Sequence, residues 1–225
     1  MIKAFVFDLD DTLFPEKEYV RSGFRTVAEY FGKTYGVKEV YPKLQRLFAE
    51  NAKGVFDRLC EEEKLSEGAK KEAIDIYRTH RPESLRYADG AEELLKHLRK
   101  NGYRLGIITD GRPFAQQAKI DALGVADLVD EIIITDALGG EEYRKPNPYA
   151  FRLMTEKLGV KAEETVYVGD NPQKDFAIKK YLPVTTVRVL GEGLYADKEY
   201  LYGIKPDITI NNLQELKGGT VLWPK

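Results

Sequence analysis

One cysteine, Cys60, has no partner for an internal disulfide, so the chain cannot staple itself covalently. No apolar run approaches the roughly 20 residues of a membrane span, no stretch is of low complexity, and no segment repeats. An excess of either charge is missing as well. The 35 Lys and Arg stand against 37 Asp and Glu, and basic residues nowhere interleave with aromatics as a nucleic-acid groove requires. The chain opens on strand-like residues where a secretory signal would place a longer apolar stretch. These absences predict a cytoplasmic protein that engages neither membrane nor nucleic acid. What the chain does have is bulk: 225 residues suffice for one large α/β core, or for an ordinary core with a small second domain.

The most informative run is Asp8-Leu9-Asp10-Asp11-Thr12, directly after the apolar Ala4-Phe5-Val6-Phe7. Four apolar residues that stop at a cluster of acids read as a buried parallel strand, and parallel sheets keep their ligand sites beyond the carboxyl ends of strands. Asp8 and Asp10, at i and i+2, share a face in extended chain. Two carboxylates 4 Å apart repel by roughly 4 kcal/mol at an effective dielectric of 20, so a divalent metal or a lysine is predicted beside them. The competing reading is that Asp10 and Asp11 merely open a turn and cap the next segment.

Short β-rich runs recur at 103–109, 131–135, 165–169, 184–189 and 207–210, mostly separated by helical patterns, which predicts an α/β doubly wound sheet. Between Asp89 and Gly102 the sequence reads as a helix, with an Asp89/Glu92 capping box, a stripe of Leu94, Leu95 and Leu98, and Gly102 as terminator. At Arg112-Pro113, Asn147-Pro148 and Asn171-Pro172 a proline follows a polar residue, a pattern that starts helices and gathers free N–H groups near strand ends, where they suit an anion.

The stretch from Leu13 to about Ala88 is far longer than a simple crossover needs. Phe24, Val27, Ala28, Phe31 and Tyr35 follow helical spacing, as do Leu44, Leu47 and Phe48, then Phe56 and Leu59, then Ala69, Ala73, Ile76 and Tyr77. A helical insertion of about four helices is expected over 15–87, with 1–14 and 88–225 forming the core. The segment 191–205 is expected to be an ordered surface loop.

Three further polar clusters follow later strands. They are Thr109-Asp110-Gly111, Lys145-Pro146-Asn147-Pro148, and the run from Gly169-Asp170-Asn171 to Asp175. Each alone is an ordinary turn or helix start. With all four strand ends on one edge, they supply two acids, a hydroxyl with backbone donors, a lysine and a second acid pair. Hard oxygen ligands of this kind suit Mg²⁺.

In this order the residues Asp8-x-Asp10-x-Thr12, Thr109, Lys145-Pro146 and Gly169-Asp170 with Asp175 resemble the four motifs of the haloacid dehalogenase-like (HAD) hydrolase superfamily, over nearly the whole chain. The helical insertion resembles that superfamily's type-1 cap, which implies a Rossmann-like three-layer core with a helical lid. One departure is Asp110, which stands where asparagine is commoner. A position that contributes backbone tolerates the change; one that contributes its amide loses phosphate affinity.

Carried over residue by residue, the resemblance implies that Asp8 is the nucleophile and forms an aspartyl-phosphate. Asp10 would be the acid and then the base. Thr109, Asp110, Gly111 and Lys145 would bind the phosphoryl group. Mg²⁺ would be held by Asp8, Asp170 and the main-chain carbonyl of Asp10, with Asp175 as metal support or orienter of Lys145. Asn171 is a supporting candidate, explained equally well as a helix cap. An intact Asp10 favours phosphoester over carbon–halogen chemistry, because only an alkoxide leaving group needs an acid.

The expected substrate is a small phosphorylated metabolite, a nucleotide 5′-phosphate or a sugar phosphate. The alternatives are a phosphomutase or phosphotransferase, and a catalytically silent phospholigand-binding module. Selectivity is expected from among Phe14, Tyr19, Arg21, Arg25, Arg58, Arg81 and Arg86. Monomer and homodimer are equally compatible with the sequence.

Overall fold

The computed structural model describes residues 1–191, 195 and 197–217. The described chain divides into two compact units, Met1–Glu16 with Leu85–Lys225, and Lys17–Ser84. The boundaries lie a few residues inside the expected 15–87. Glu16 stays with the first unit because its N–H donates to Asp11 Oδ1 at 2.9 Å, and Leu85 because its N–H donates to Ala122 O at 3.3 Å.

The first unit is built on β1 (Ala4–Phe7). Then come, after the insertion, α5 (Ala91–Lys100), β2 (Arg104–Thr109), α6 (Pro113–Leu123), β3 (Glu131–Ile134), α7 (Pro148–Leu158), β4 (Thr165–Gly169), β5 (Thr185–Val189) and β6 (Ile208–Ile210). All six strands are parallel, in the order β3-β2-β1-β4-β5-β6. Every residue of β1 is buried, as a central parallel strand covered on both faces requires. Strand alternation sends Ala4 and Val6, with Ile108, Ile133 and Tyr167, against Ala150, Phe151, Met154 and Leu158 of α7. Phe5 and Phe7 face the other way, where Phe5 meets Tyr103 edge to face at 5.0 Å.

The second unit contains most of α1 (Glu16–Tyr35), then α2 (Val40–Glu50), α3 (Val55–Glu62) and α4 (Glu67–Thr79). Its core is the stripe read from the sequence: Phe24, Val27 and Phe31 of α1, Leu44 and Leu47 of α2, Leu59 of α3, and Ala69 and Ala73 of α4. Ser66 caps α4 by accepting from Ala69 N–H at 3.3 Å.

Two local expectations fail. The Asp89/Glu92 capping box does not form, because the residue before α5 is Gly90 at φ 74°, which puts Asp89 one position outside the cap. Glu92 pairs instead with Lys96 one turn on, at 2.6 Å. Asn171-Pro172 opens a turn and no helix. Asn171 Oδ1 accepts from Gln173 N–H at 2.9 Å, and Asn171 O accepts from the amides of Lys174 and Asp175. In the expected loop 191–205, residues 192–194 and 196 lie outside the described residues; Leu201–Gly203 makes a short 3-10 turn. Among the described residues no helix is long and apolar enough to cross a membrane.

Candidate active site

The strand order reverses between β1 and β4, so β1 leads through β2 to one edge of the sheet and β4 through β5 to the other. Ligand sites of open parallel sheets form at such a switch point, beyond the carboxyl ends. Here the pairing of Phe7 with Val168 places Asp8 and Asp170 at neighbouring strand exits. The glycine between β4 and Asp170 has a packing reason: a Cβ on Gly169 would stand 2.5 Å from Asp175 Oδ2. The cleft at this edge, about 340 Å³, is lined by Asp8, Asp10, Asp11, Glu16, Asp110, Gly111, Arg144, Lys145, Asp170, Asn171, Lys174 and Tyr195.

Asp8 is 1% exposed. Lys145 Nζ stands 2.7 Å from its Oδ1 and Lys174 Nζ 3.5 Å from its Oδ2, so Oδ1 is paired closely and Oδ2 more loosely. Burial works against the charge of Asp8, but the two ammonium groups outweigh it and hold the carboxyl below the usual carboxylate range. The arrangement is a carboxylate held ionised at the lining of a cleft, the condition a nucleophile needs.

Lys145 is fully buried and boxed in. It faces Asp8 and, at 3.0 Å, Asp175 Oδ1, and it donates to the Tyr167 hydroxyl at 2.8 Å. Burial opposes its charge; Asp175, Asp8 and Asp110 more than compensate and raise its pKa. Asp175 is consumed by this work. Its Oδ1 also accepts from Tyr167 O–H at 2.9 Å, and its Oδ2 accepts from Asn171 N–H at 2.9 Å.

Asp10 has partners of its own, from a helix that carried no expected site residue. Lys119 Nζ of α6 lies 2.7 Å from Asp10 Oδ1, and Gln116 Nε2, one turn earlier, donates to Asp10 Oδ2 at 2.9 Å and also to Thr109 Oγ1. The lysine predicted near the acid pair is therefore three lysines, Lys145 and Lys174 at Asp8 and Lys119 at Asp10. Glu16 stands 3.6 Å from Lys119, and the Asp10 charge together with burial pushes its carboxyl up to about 7. Asp11 alone fits the capping alternative, through its bond to Glu16 N–H.

The loop after β2 needs a glycine at 111, where φ is 130°. Asp110 Oδ1 accepts from Lys145 N–H at 3.1 Å and from Thr135 Oγ1–H at 3.0 Å. Gly111 N–H donates to Asp136 Oδ1 at 3.4 Å, and Arg144 grips Asp136 with two bonds of 2.7 Å. Asn171 lines the cleft as a turn residue. Of the selectivity candidates, Phe14 is buried beneath Lys119, Arg25 lies over the Tyr41 ring, and Arg58 donates to Leu47 O and Asn51 O.

Asp8, Asp170 and Asp175 each bring a buried carboxylate oxygen within 4.8 Å of the others. Burial, with Asp175 and Asp8 nearby, pushes Asp170 up to about 8, so the cluster is short of positive charge. The donors are all hard oxygens, which fits a divalent cation.

Gln116, Lys119, Lys174 and Tyr167 were not singled out from the sequence. The available signal was Gln116 and Lys119 at i and i+3, in phase with the buried Leu123: polar residues on the inner face of a helix just after a site loop.

A haloacid dehalogenase-like hydrolase family model matches residues 2–177, and a HAD-hydrolase-like model matches 142–216. The chain belongs to the haloacid dehalogenase-like hydrolase family. It is 33% identical over 224 residues to the glyceraldehyde 3-phosphate phosphatase of Methanocaldococcus jannaschii, covering 96% of each chain. To the pyrophosphatase PpaX of Bacillus mycoides it is 26% identical over 220 residues, 96% of this chain and 95% of that one. The structure of the putative HAD-hydrolase YfnB from Bacillus subtilis, bound to magnesium, matches in fold with a TM-score of 0.69 at 19% identity, over 96% of both chains. Within the family, this chain is a phosphatase.

Proposed function

We propose that the protein is a Mg²⁺-dependent phosphomonoesterase that moves the phosphoryl group of a small metabolite first to Asp8 and then to water. The observation that carries this reading is Asp8 itself: buried, held ionised by Lys145 and Lys174, and lining the cleft at the carboxyl edge of the sheet. A carboxylate buried only to support the fold has no need to face a cleft.

An Asp8 oxygen attacks phosphorus, and the bond from phosphorus to the leaving oxygen breaks. Asp10 gives its proton to that oxygen, and takes one from the water that then attacks the phosphorus of the aspartyl-phosphate and frees Asp8. The ammonium of Lys145 offsets the charge spread over the phosphoryl oxygens. Thr109, fixed by Gln116, and the backbone of 109–111 set the depth of the phosphate site. Mg²⁺ on Asp8, Asp170 and the Asp10 carbonyl would supply charge neutralisation between nucleophile and phosphoryl group. Asp175, with its oxygens already used, orients Lys145 and the turn at Asn171.

The helical unit, inserted a few residues after Asp10, serves as the cap. The relatives named for glyceraldehyde 3-phosphate favour a short sugar phosphate as substrate. The test is phosphate release from triose and hexose phosphates, nucleoside monophosphates, phosphoglycolate and pyrophosphate, with Mg²⁺ and with EDTA. Turnover should need the metal and vanish in Asp8→Asn; an Asp8→Asn protein that still turns over would sink the mechanism.

A further inference from the structure

Lys174 lines the cleft and has no part in that mechanism beyond its pull on Asp8. Lys174 Nζ lies 3.3 Å from Asp110 Oδ2 and 3.5 Å from Asp8 Oδ2. Its side chain is 24% exposed where that of Lys145 is 0%, so it is the ammonium that faces the open cleft. Arg144, the other cation lining the cleft, is committed to Asp136 and, at 3.0 Å, to Glu141.

The charge balance shows why a second cation is needed. Asp8, Asp110, Asp170 and Asp175 stand against the ammonium groups of Lys145 and Lys174, and a divalent cation only brings this set of six to neutrality. A phosphoryl dianion entering such a cleft requires a donor whose positive charge is not already locked in place. Lys145 is locked between Asp8, Asp175 and Tyr167. Lys174 is held only by carboxylate oxygens at longer range. Asp110 itself is anchored through Oδ1 by Lys145 N–H and Thr135, which leaves Oδ2 turned to Lys174.

We propose that Lys174 is a second phosphate-binding residue, held beside Asp8 by Asp110, and that the two form one charge-compensated pair from which incoming phosphoryl oxygens take over the lysine. The inference rests on the phosphatase reading of the site. It also explains how a carboxylate is tolerated at position 110: the lysine cancels a charge that would repel substrate.

The test is competitive inhibition by inorganic phosphate, with KM for the best substrate, in saturating magnesium chloride. Lys174→Met should weaken both by about tenfold or more, the size of one lost charge-assisted hydrogen bond, with kcat falling less. Lys174→Arg should stay near wild type. In Lys174→Met/Asp110→Asn the part of the loss owed to the orphaned Asp110 charge should return, because the amide oxygen still accepts from Lys145 N–H and Thr135, while the part owed to the missing ammonium stays. Unchanged phosphate inhibition in Lys174→Met, a double variant no tighter than Lys174→Met, or one restored to wild type overturns the proposal. Should Lys174→Met not fold, Asp110→Asn alone decides: phosphate must bind as tightly as in wild type or tighter, and weaker binding overturns the pair. Turnover that survives Asp8→Asn would instead defeat the phosphatase mechanism and leave a different result pattern.

Discussion

Both units of this chain carry ion pairs at the surface, and the sheet unit buries charges as well. In the helical unit the ion pairs lie at the surface, as in Lys43–Glu63, Arg46–Glu62 and Lys70–Glu67, whose side chains are all at least 21% exposed, around an interior of aromatic and aliphatic residues. In the sheet unit, Lys145, Asp8 and Asp175 meet with side chains no more than 2% exposed. Desolvating charges costs more than such pairs return in stability, and well-packed apolar residues of similar volume would serve a merely structural purpose better. The contrast separates a region built for packing from one whose buried charge is explained by chemistry.

The strongest way to break the contrast is Lys145→Ala. It should cut kcat by about a hundredfold or more and destabilise the protein by roughly 3–5 kcal/mol, because Asp8 and Asp175 are left buried without their cation. Denaturant midpoints and turnover on the same preparation check both; a variant of wild-type stability would mean the buried charges compensate one another some other way.

Next in size is Leu44→Ala, a side chain with no exposure in the helical core. It should cost roughly 2–5 kcal/mol through lost burial and a residual cavity, with magnesium activation unchanged in the folded fraction.

A smaller effect sharpens the electrostatic side. Hydrogen bonds from Arg144 hold Asp136 below the usual carboxylate range. The stability this brings is present above the unfolded value near about 3.9 and is lost as pH falls through the lower folded value. Arg144→Met should therefore be less stable than wild type at neutral pH, and the two curves should converge in acid. A gap that stays constant with pH would assign the loss to packing.

Smallest of all is Arg46→Ala on the helical surface, where Glu50 and Glu62 are both well exposed. Its melting midpoint should be indistinguishable from wild type, since exposed pairs contribute little.

Much of this was open to reading. β1, β2, β3, β4, β5 and β6 lie within a residue or so of their predicted spans, because buried parallel strands are short apolar runs with polar ends. The four helices of the insertion follow from stripe spacing alone. Asp8, Thr109 and Asp170 were legible because each ends a strand or begins the loop that follows one; Asp10 and Lys145 lie further along such loops and stood out by the company of Asp8 and by the Lys145-Pro146 pair. The capping box at Asp89 and the helix at Asn171-Pro172 were misread for a common reason: a local motif states what a residue can do, while the backbone around it, Gly90 in one case and the Asx turn in the other, decides what it does. Gln116 and Lys119 escaped because their signal is a helical phase, and phase names a face without naming what the face meets.

The sequence by itself determined most of the elements, the parallel doubly wound class of the sheet and the set of acids and lysine that follow the strands, because these depend on local periodicity and on the rule that polar residues interrupt buried strands at their ends. Only the tertiary structure decided which charge balances which. That Lys145 serves Asp8 and Asp175, that Lys119 and Gln116 hold Asp10, and that Lys174 stands against Asp110 are contacts between residues as many as 137 positions apart. Coulomb attraction depends on distance in space and burial, and neither can be read along a chain before it has folded.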